Sequence, residues 1–451
     1  AGAPTVLSRK VAECAARGDT RRQNALTTAS ILIGLVTSAT ICALFLALSG
    51  HLDIVFTDSR CVPIFLIMLP ALVTSSLYAP LRSWFWGRKN FLAFSAPELV
   101  DEGLKIGFAL LFAGGLFGTL TGATGVALAL TLADAVSVVM LFVLFFKSGG
   151  RLVRPQGAKE LVLSTAPLSA VRILTSLSAS LSALVIPREL VASGLTVAVA
   201  TAQYGRVAGM ALPLIMAPVT VISALSIVLI PDLAELASRG NYAEIRAKLR
   251  ASLLFAAIVA SAFFAIYVPL GRQLGEFLFG DAEAGELVSY AAVIIFPLSL
   301  GQITTPVLNS LGMEKFSFYS YIAGLLCSLP CIFLLPRVIG IYAAAVASGV
   351  GFTVSAAFNS VFLAKRLGRP EGVARAGGVV LFSVPLAVLG LFGARLVAPV
   401  FGNLGTILFI AAAVTGFFVA FVSAFGIVDV RAFFATVLPS FRRHTPSKPR
   451  A

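Results

Sequence analysis

Twelve stretches of mainly apolar residues, each long enough to cross a bilayer, recur along the 451-residue chain with only short polar connections between them. The hydrocarbon core of a membrane is about 30 Å thick, so a spanning helix needs roughly 20 such residues. The stretches lie at about 26–49, 61–80, 98–117, 121–147, 159–187, 204–231, 248–270, 285–306, 317–336, 339–364, 376–400 and 404–427. In lipid every backbone N–H and C=O must be satisfied inside the protein, and uninterrupted apolar stretches of this length do so as helices. The chain is therefore expected to be an all-α polytopic membrane protein. Its charged fraction of 12% agrees, since soluble domains run near a quarter.

The basic residues say which way such a bundle faces. The net charge is +14, and 26 of the 34 Lys and Arg residues fall in every second connection or in the two termini. They include Arg9, Lys10, Arg17, Arg21 and Arg22, then Arg82, Arg88 and Lys89, then Lys147, Arg151, Arg154 and Lys159. Arg239, Arg246, Lys248 and Arg250 follow, then Lys315, the group Lys365, Arg366, Arg369 and Arg375, and the tail with Arg431, Arg442, Arg443, Lys448 and Arg450. The opposite connections hold Arg60, Arg188, Arg272, Arg337 and Arg395 beside acids such as Glu276, Asp281, Glu283 and Glu286. Cytoplasmic loops carry the Lys/Arg excess, so both termini are expected in the cytoplasm. The basic balance thus reports topology, not a nucleic-acid partner.

An internal repeat is visible. Ala12-Glu13-Cys14-Ala15-Ala16-Arg17-Gly18-Asp19 matches Ala234-Glu235-Leu236-Ala237-Ser238-Arg239-Gly240-Asn241, each ahead of a span. Pro80 through Gly87 corresponds to Pro306 through Gly312, and Gly125-Val126-Ala127 to Gly340-Ile341-Tyr342-Ala343. Repeats in the same orientation predict two lobes with a cavity between them. The expected organisation is an N-lobe at 1–147, a Gly/Pro-rich linker at 148–158 and a C-lobe at 159–364. Two additional helices follow at 365–430, with a basic tail at 431–451. The counterparts of residues 159–222 have no match before Ala12, so a truncated N-lobe is expected, with residues 1–8 the end of a second missing helix. The charged stretch from Asp232 to Arg250 reads as an amphipathic helix on the cytoplasmic face.

Several segments resemble a known family. Pro4 through Glu13 is similar to the cytoplasmic end of the second helix in polysaccharide-export flippases of the stage V sporulation protein B group. Leu81-Arg82-Ser83-Trp84-Phe85-Trp86-Gly87-Arg88-Lys89-Asn90-Phe91, with Glu98 and Glu102 after it, resembles that group's LRGxFxG…E..E segment. Tyr204-Gly205-Arg206 through Pro213, Pro218 and Pro231 resembles its YG…lP…P helix, and Gln302 through Gly312 its Q…LqalG stretch. Ser83 departs from the family's usual Gly. These flippases belong to the multidrug/oligosaccharidyl-lipid/polysaccharide (MOP) exporter superfamily, whose members of this type have fourteen helices. The resemblance implies a bacterial inner-membrane protein that takes an undecaprenyl-pyrophosphate-linked sugar, or a related glycolipid, from the cytoplasmic to the outer leaflet by alternating access. It also suggests envelope-biosynthesis enzymes as partners.

Charges at membrane depth are costly and mark function or pairing. Arg172 lies about 20 Å from the cytoplasmic end of its span, in a hydroxyl-rich run with Ser169, Thr175, Ser176, Ser178, Ser180 and Ser182. The planar guanidinium fork suits phosphate. Arg172 is therefore the candidate for the pyrophosphate, the alternative being neutralisation by a neighbouring carboxylate. Arg206, at the outer end of its helix, is a second substrate-binding or outer-gate candidate. Lys105 and Asp134 differ by roughly 9 Å in depth, a gap Lys can partly close by snorkelling. A structural ion pair and ion coupling are the two readings. Glu98, Asp101 and Glu102 cluster at the start of one span. Glu98 and Glu102 share a face and with Arg82 are candidates for an inner gate. Pro213, Pro218, Pro297 and Pro306 are candidate bending points.

The five cysteines show no CxxC, and His51 and His444 sit near a membrane edge and in the tail, so no metal site and no cofactor is indicated. The sequence lacks a GxxxxGK[ST] phosphate loop, and no nucleophile–base constellation stands out, so no catalytic residue is assigned. The competing readings are a cation-coupled multidrug antiporter of the same superfamily and a membrane glycosyltransferase or polymerase. The first needs unpaired carboxylates in its cavity. The second needs extramembrane catalytic segments, and the connections here are under about 20 residues.

Overall fold

The computed structural model describes residues 2–426 except 55, 89, 114–121, 239 and 369–372. Lys89, Arg239, Arg369 and the basic tail at 431–451 lie outside the described residues. Helices account for the regular structure. In chain order they are α1 (Gly2–Ala16), α2 (Thr20–Ala47), α3 (Cys61–Met68), α4 (Pro70–Gly87), α5 (Phe91–Ala113), α6 (Gly122–Lys147), α7 (Ala158–Ala192) and α8 (Val197–Gly205). Then come α9 (Leu212–Ser238), α10 (Tyr242–Phe279), α11 (Ala282–Ala291), α12 (Ile295–Ser310), α13 (Glu314–Leu334), α14 (Pro336–Ile339), α15 (Tyr342–Leu367) and α16 (Val373–Ala424).

Ten helical stretches among the described residues are long and apolar enough to cross a membrane. They meet the twelve apolar stretches of the sequence for two physical reasons. The 23-residue α5 is long enough, but Glu98, Asp101, Glu102 and Lys105 lower its hydropathy. The 52-residue α16 is broken at Gly402 (φ 63°, ψ −174°), which separates two spans. The chain is an all-α polytopic membrane protein.

The chain groups into two compact units, residues 1–184 and 185–451, with the division inside α7. The core of the first unit gathers Leu7 and Val11 of α1, Leu26 of α2, Leu81, Trp84 and Phe85 of α4, Leu141 and Phe145 of α6, and Leu161 of α7. Trp84 meets Phe145 edge-on at 4.9 Å between ring centroids, the offset geometry aromatic pairs prefer. Where α4 crosses α1, only Gly87 fits: a Cβ there would stand 2.5 Å from the Ser8 carbonyl oxygen. Small residues at such crossings let backbones approach, which matters where helices associate by packing rather than by the hydrophobic effect.

In the second unit, Ile186, Leu190, Ile215, Val288, Ile295 and neighbours form one core. Ile222, Ile245, Leu249, Leu308 and Leu363 form another. Between α8 and α9 the chain makes a π-helical segment, Arg206–Ala211, ahead of Pro213. A wider turn of this kind removes the clash a proline ring makes with the preceding carbonyls.

The matched repeat segments share one local conformation. Gly18 (φ 71°) ends α1 and Asp19 caps α2 by accepting from Arg22 N. Gly240 (φ 70°) follows α9 and Asn241 caps α10 by accepting from Glu244 N. A left-handed residue that stops one helix and a polar cap that starts the next are a standard pairing. That pairing overturns the single amphipathic helix expected from Asp232 to Arg250. Gly240 and Asn241 split the stretch between the end of α9 and the start of α10. The third repeat match also shifts register: the counterpart of Gly340 (φ 60°) is Gly122 (φ 59°), not Gly125.

The connection from α6 to α7, residues 148–157, has no regular structure and lies along α2. Val153 N donates to Thr28 Oγ1 at 3.3 Å and Gln156 N to Ala25 O at 3.5 Å. Glu160, at the start of α7, accepts from Lys10 of α1 and stands 3.7 Å from Arg22 of α2.

Candidate functional site

The first unit concentrates its charge where α4, α5 and α6 meet. Asp101 and Lys105 are one helical turn apart on α5, and Asp134 and Ser137 one turn apart on α6, so each helix presents two polar groups on one face. Lys105 Nζ lies 2.6 Å from Asp101 Oδ2, 3.3 Å from Asp134 Oδ1 and 3.6 Å from Glu102 Oε1. Ser137 Oγ, fully buried, donates to the other Asp101 oxygen at 2.7 Å. One ammonium thus serves three carboxylates, and every charge has a partner, as low-dielectric surroundings demand.

A second pair stands towards the beginning of α5. Arg82 of α4 donates to Glu98 and lays its guanidinium over the Phe94 ring at 4.2 Å. Arg82 Nε and the Tyr78 hydroxyl, on the same face of α4, are buried without a hydrogen-bond partner among the described residues. The gate candidates therefore divide: Arg82 joins Glu98, whereas Glu102 belongs with Lys105. Across both pairs, two cations face four carboxylates.

Arg172 stands apart from this network. It is exposed on α7 and forms no ion pair or hydrogen bond among the described residues. Ser176 and Ser180, at successive steps of four along α7, are exposed as well, so a charged and hydroxylated stripe runs along one face.

Arg206 sits at the start of the π-helical segment and is fully engaged. Its Nε lies 2.6 Å from Asp281 Oδ2, and its Nη1 donates to Glu283. Asp281 also caps α11 by accepting from Ala284 N at 3.0 Å. Burial pushes the Asp281 carboxyl up. The Arg206 hydrogen bond, the backbone donors and the Arg206 charge outweigh that, and its pKa falls below the ordinary aspartate value. Further ion pairs in this unit join Arg272 to Glu286 and Arg337 to Glu189.

No protein-family model matches the chain. In sequence it is 22% identical over 381 residues to the stage V sporulation protein B of Bacillus subtilis (strain 168), covering 81% of this chain and 74% of that protein. In structure it matches an inward-facing multidrug resistance MATE family transporter of the MOP superfamily. The TM-score is 0.65 at 13% identity, over 84% of this chain and 86% of the other. This chain has the MOP-transporter fold. The Vibrio cholerae MATE transporter VcmN in its bent form shares it, with a TM-score of 0.57 and 17% identity over 81% and 84% of the two chains.

Within this MOP fold, sequence reasoning reached Lys105 and Asp134 but did not give Asp101 and Ser137 their part. The signal was available: Asp101 precedes Lys105 by four residues, and Ser137 follows Asp134 by three, both same-face spacings on a helix. Phe94 and Tyr78, which flank Arg82, carry no such signal, because aromatic residues are abundant in this chain.

Proposed function

We propose that this chain is a MOP-superfamily transporter that flips a lipid-linked sugar, an undecaprenyl-pyrophosphate-linked saccharide or related glycolipid, from the cytoplasmic to the outer leaflet. Arg172 is the residue that meets the pyrophosphate. The observation that carries this reading is the state of the charges. The mid-helix cation Arg172 is exposed and has no partner among the described residues, while the helix carboxylates Asp101 and Asp134 are engaged by Lys105. A free guanidinium beside hydroxyls suits a phosphorylated substrate. The similarity to a stage V sporulation protein B supports the same assignment.

Native mass spectrometry of the protein purified from its membrane, wild type beside Arg172→Ala, tests this directly. A pyrophosphate-linked glycolipid retained by wild type and lost from the variant is expected. Equal retention strips Arg172 of its role.

A second reading, a cation-coupled multidrug antiporter, draws on the structural likeness to MATE transporters. It requires a carboxylate that exchanges its partner during transport, and Asp134 is the residue to test. Loss of drug resistance in Asp134→Asn, with no glycolipid on the wild-type protein, would favour it.

A further inference from the structure

The second unit holds a cavity of about 580 Å³, open on one side, bordered by α10, α12, α15 and the beginning of α16. Its size falls within the roughly 300–1,000 Å³ of ligand sites. The wall is largely aliphatic, with Leu253, Leu300, Ala357 and Val380 among the lining residues. One end is different. Arg250 lines it, is exposed, and has no ion pair or hydrogen bond among the described residues. Two more exposed cations flank that end in sequence: Lys365 follows the lining residue Ala364, and Arg375 precedes the lining residue Ala376.

The depth of the cavity limits what can fill it. On α10 the lining runs from Leu249 to Ala260, eleven steps or about 17 Å of helix. That is about half the hydrocarbon thickness, one leaflet. The occupant must carry an apolar chain about a leaflet long and a negative head group at its polar end. A polyprenyl chain is longer than a leaflet is deep, whereas a phospholipid acyl chain matches it. Basic pockets between spanning helices bind anionic head groups for the same electrostatic reason.

We propose that one anionic phospholipid from the leaflet on the Arg250 side is resident here, an acyl chain in the cavity and its phosphate on Arg250. This lipid is distinct from the transported substrate proposed above and does not depend on that proposal. It fills the space between α16 and the helices α10, α12 and α15, and so fastens the last spans to the rest of their unit.

The test is native mass spectrometry of the full chain released from nanodiscs containing phosphatidylglycerol and phosphatidylcholine. Wild type is expected to retain one phosphatidylglycerol in preference to phosphatidylcholine. Arg250→Gln should lower that retention about fivefold, the worth of one cation near an anionic head group, and Arg250→Lys should preserve it. Ala357→Trp, at an exposed lining position, fills the cavity and should abolish retention. Equal retention of the two lipids by wild type would overturn the proposal. So would undiminished phosphatidylglycerol in Arg250→Gln, or recovery of a polyprenyl phosphate as the resident lipid. The Gln and Lys variants decide the matter even if the Trp variant does not fold.

Discussion

Lys105 of α5 and Asp134 of α6 stand 3.3 Å apart, and the same ammonium is held at 2.6 Å by Asp101. The two acids are not equivalent. Asp101 has a second donor in Ser137, while Asp134 has no other charged partner of opposite sign among the described residues. Removing Lys105 leaves three carboxylates facing one another. Breaking a buried pair costs about 3–5 kcal/mol. With Lys105 and Asp134 each about a quarter exposed, Lys105→Met is expected to cost about 2 kcal/mol. Asp134→Asn should cost less, because Asp101 keeps the ammonium satisfied. Thermal unfolding in detergent measures both, and an equal loss would show that Asp101 does not share the charge.

Packing between α1 and α4 yields a prediction with an internal control. At Gly87 a Cβ would fall 2.5 Å from the Ser8 carbonyl oxygen and 2.7 Å from Val11 Cβ. Overpacking of this kind costs about 1–3 kcal/mol. At Gly103 of α5 nothing lies within 4 Å of the same atom, so Ala there should be neutral or gain up to about 1 kcal/mol from its helix propensity. Gly87→Ala is expected to lower the unfolding temperature and Gly103→Ala to leave or raise it. The reverse order would contradict the close crossing.

The Arg206–Asp281 contact sets a pH dependence. The folded-state pKa of Asp281 lies below its unfolded value, which is about 3.9. The contribution is therefore fully present above that unfolded value and is lost as pH falls through the folded pKa. Wild type should lose more thermal stability than Asp281→Asn between pH 5 and pH 3, and the two curves should run parallel above about pH 5. Identical slopes throughout would mean that the contact does not hold in solution.

Arg172 separates charge from shape. Lysine keeps the positive charge but loses the planar fork that binds two phosphate oxygens at once. Arg172→Lys is expected to retain about tenfold less pyrophosphate-linked glycolipid than wild type, and Arg172→Gln less still. Retention by Lys equal to that of Arg would show that net charge alone is read.

Much of this architecture is legible from the residues, and the reasons differ by element. The spans are plain because hydrocarbon imposes length and composition on each of them separately. The repeat is plain at Gly18–Asp19 and Gly240–Asn241 because a left-handed residue followed by a cap is a local code. The Lys105–Asp134 contact follows from depth along two helices adjacent in sequence. The partners of Arg206 do not follow so: Asp281 and Glu283 lie on the far side of α9 and α10 in sequence, and only tertiary packing brings them close. The single amphipathic helix read from Asp232 to Arg250 fails because its charge continues across Gly240–Asn241, the helix stop that the repeat itself marks.

The connection between α6 and α7 has almost no slack. Ten residues can reach over 30 Å when fully extended, yet Val153 and Gln156 are tied to α2, and Glu160 is moored to Lys10 at its end. A cable pinned at such intervals transmits position instead of absorbing it. Whatever movement Arg172 makes relative to α1 and α2 must then arise by bending within α7 itself, beyond the mooring at Glu160, and not by play in the connection that leads to it.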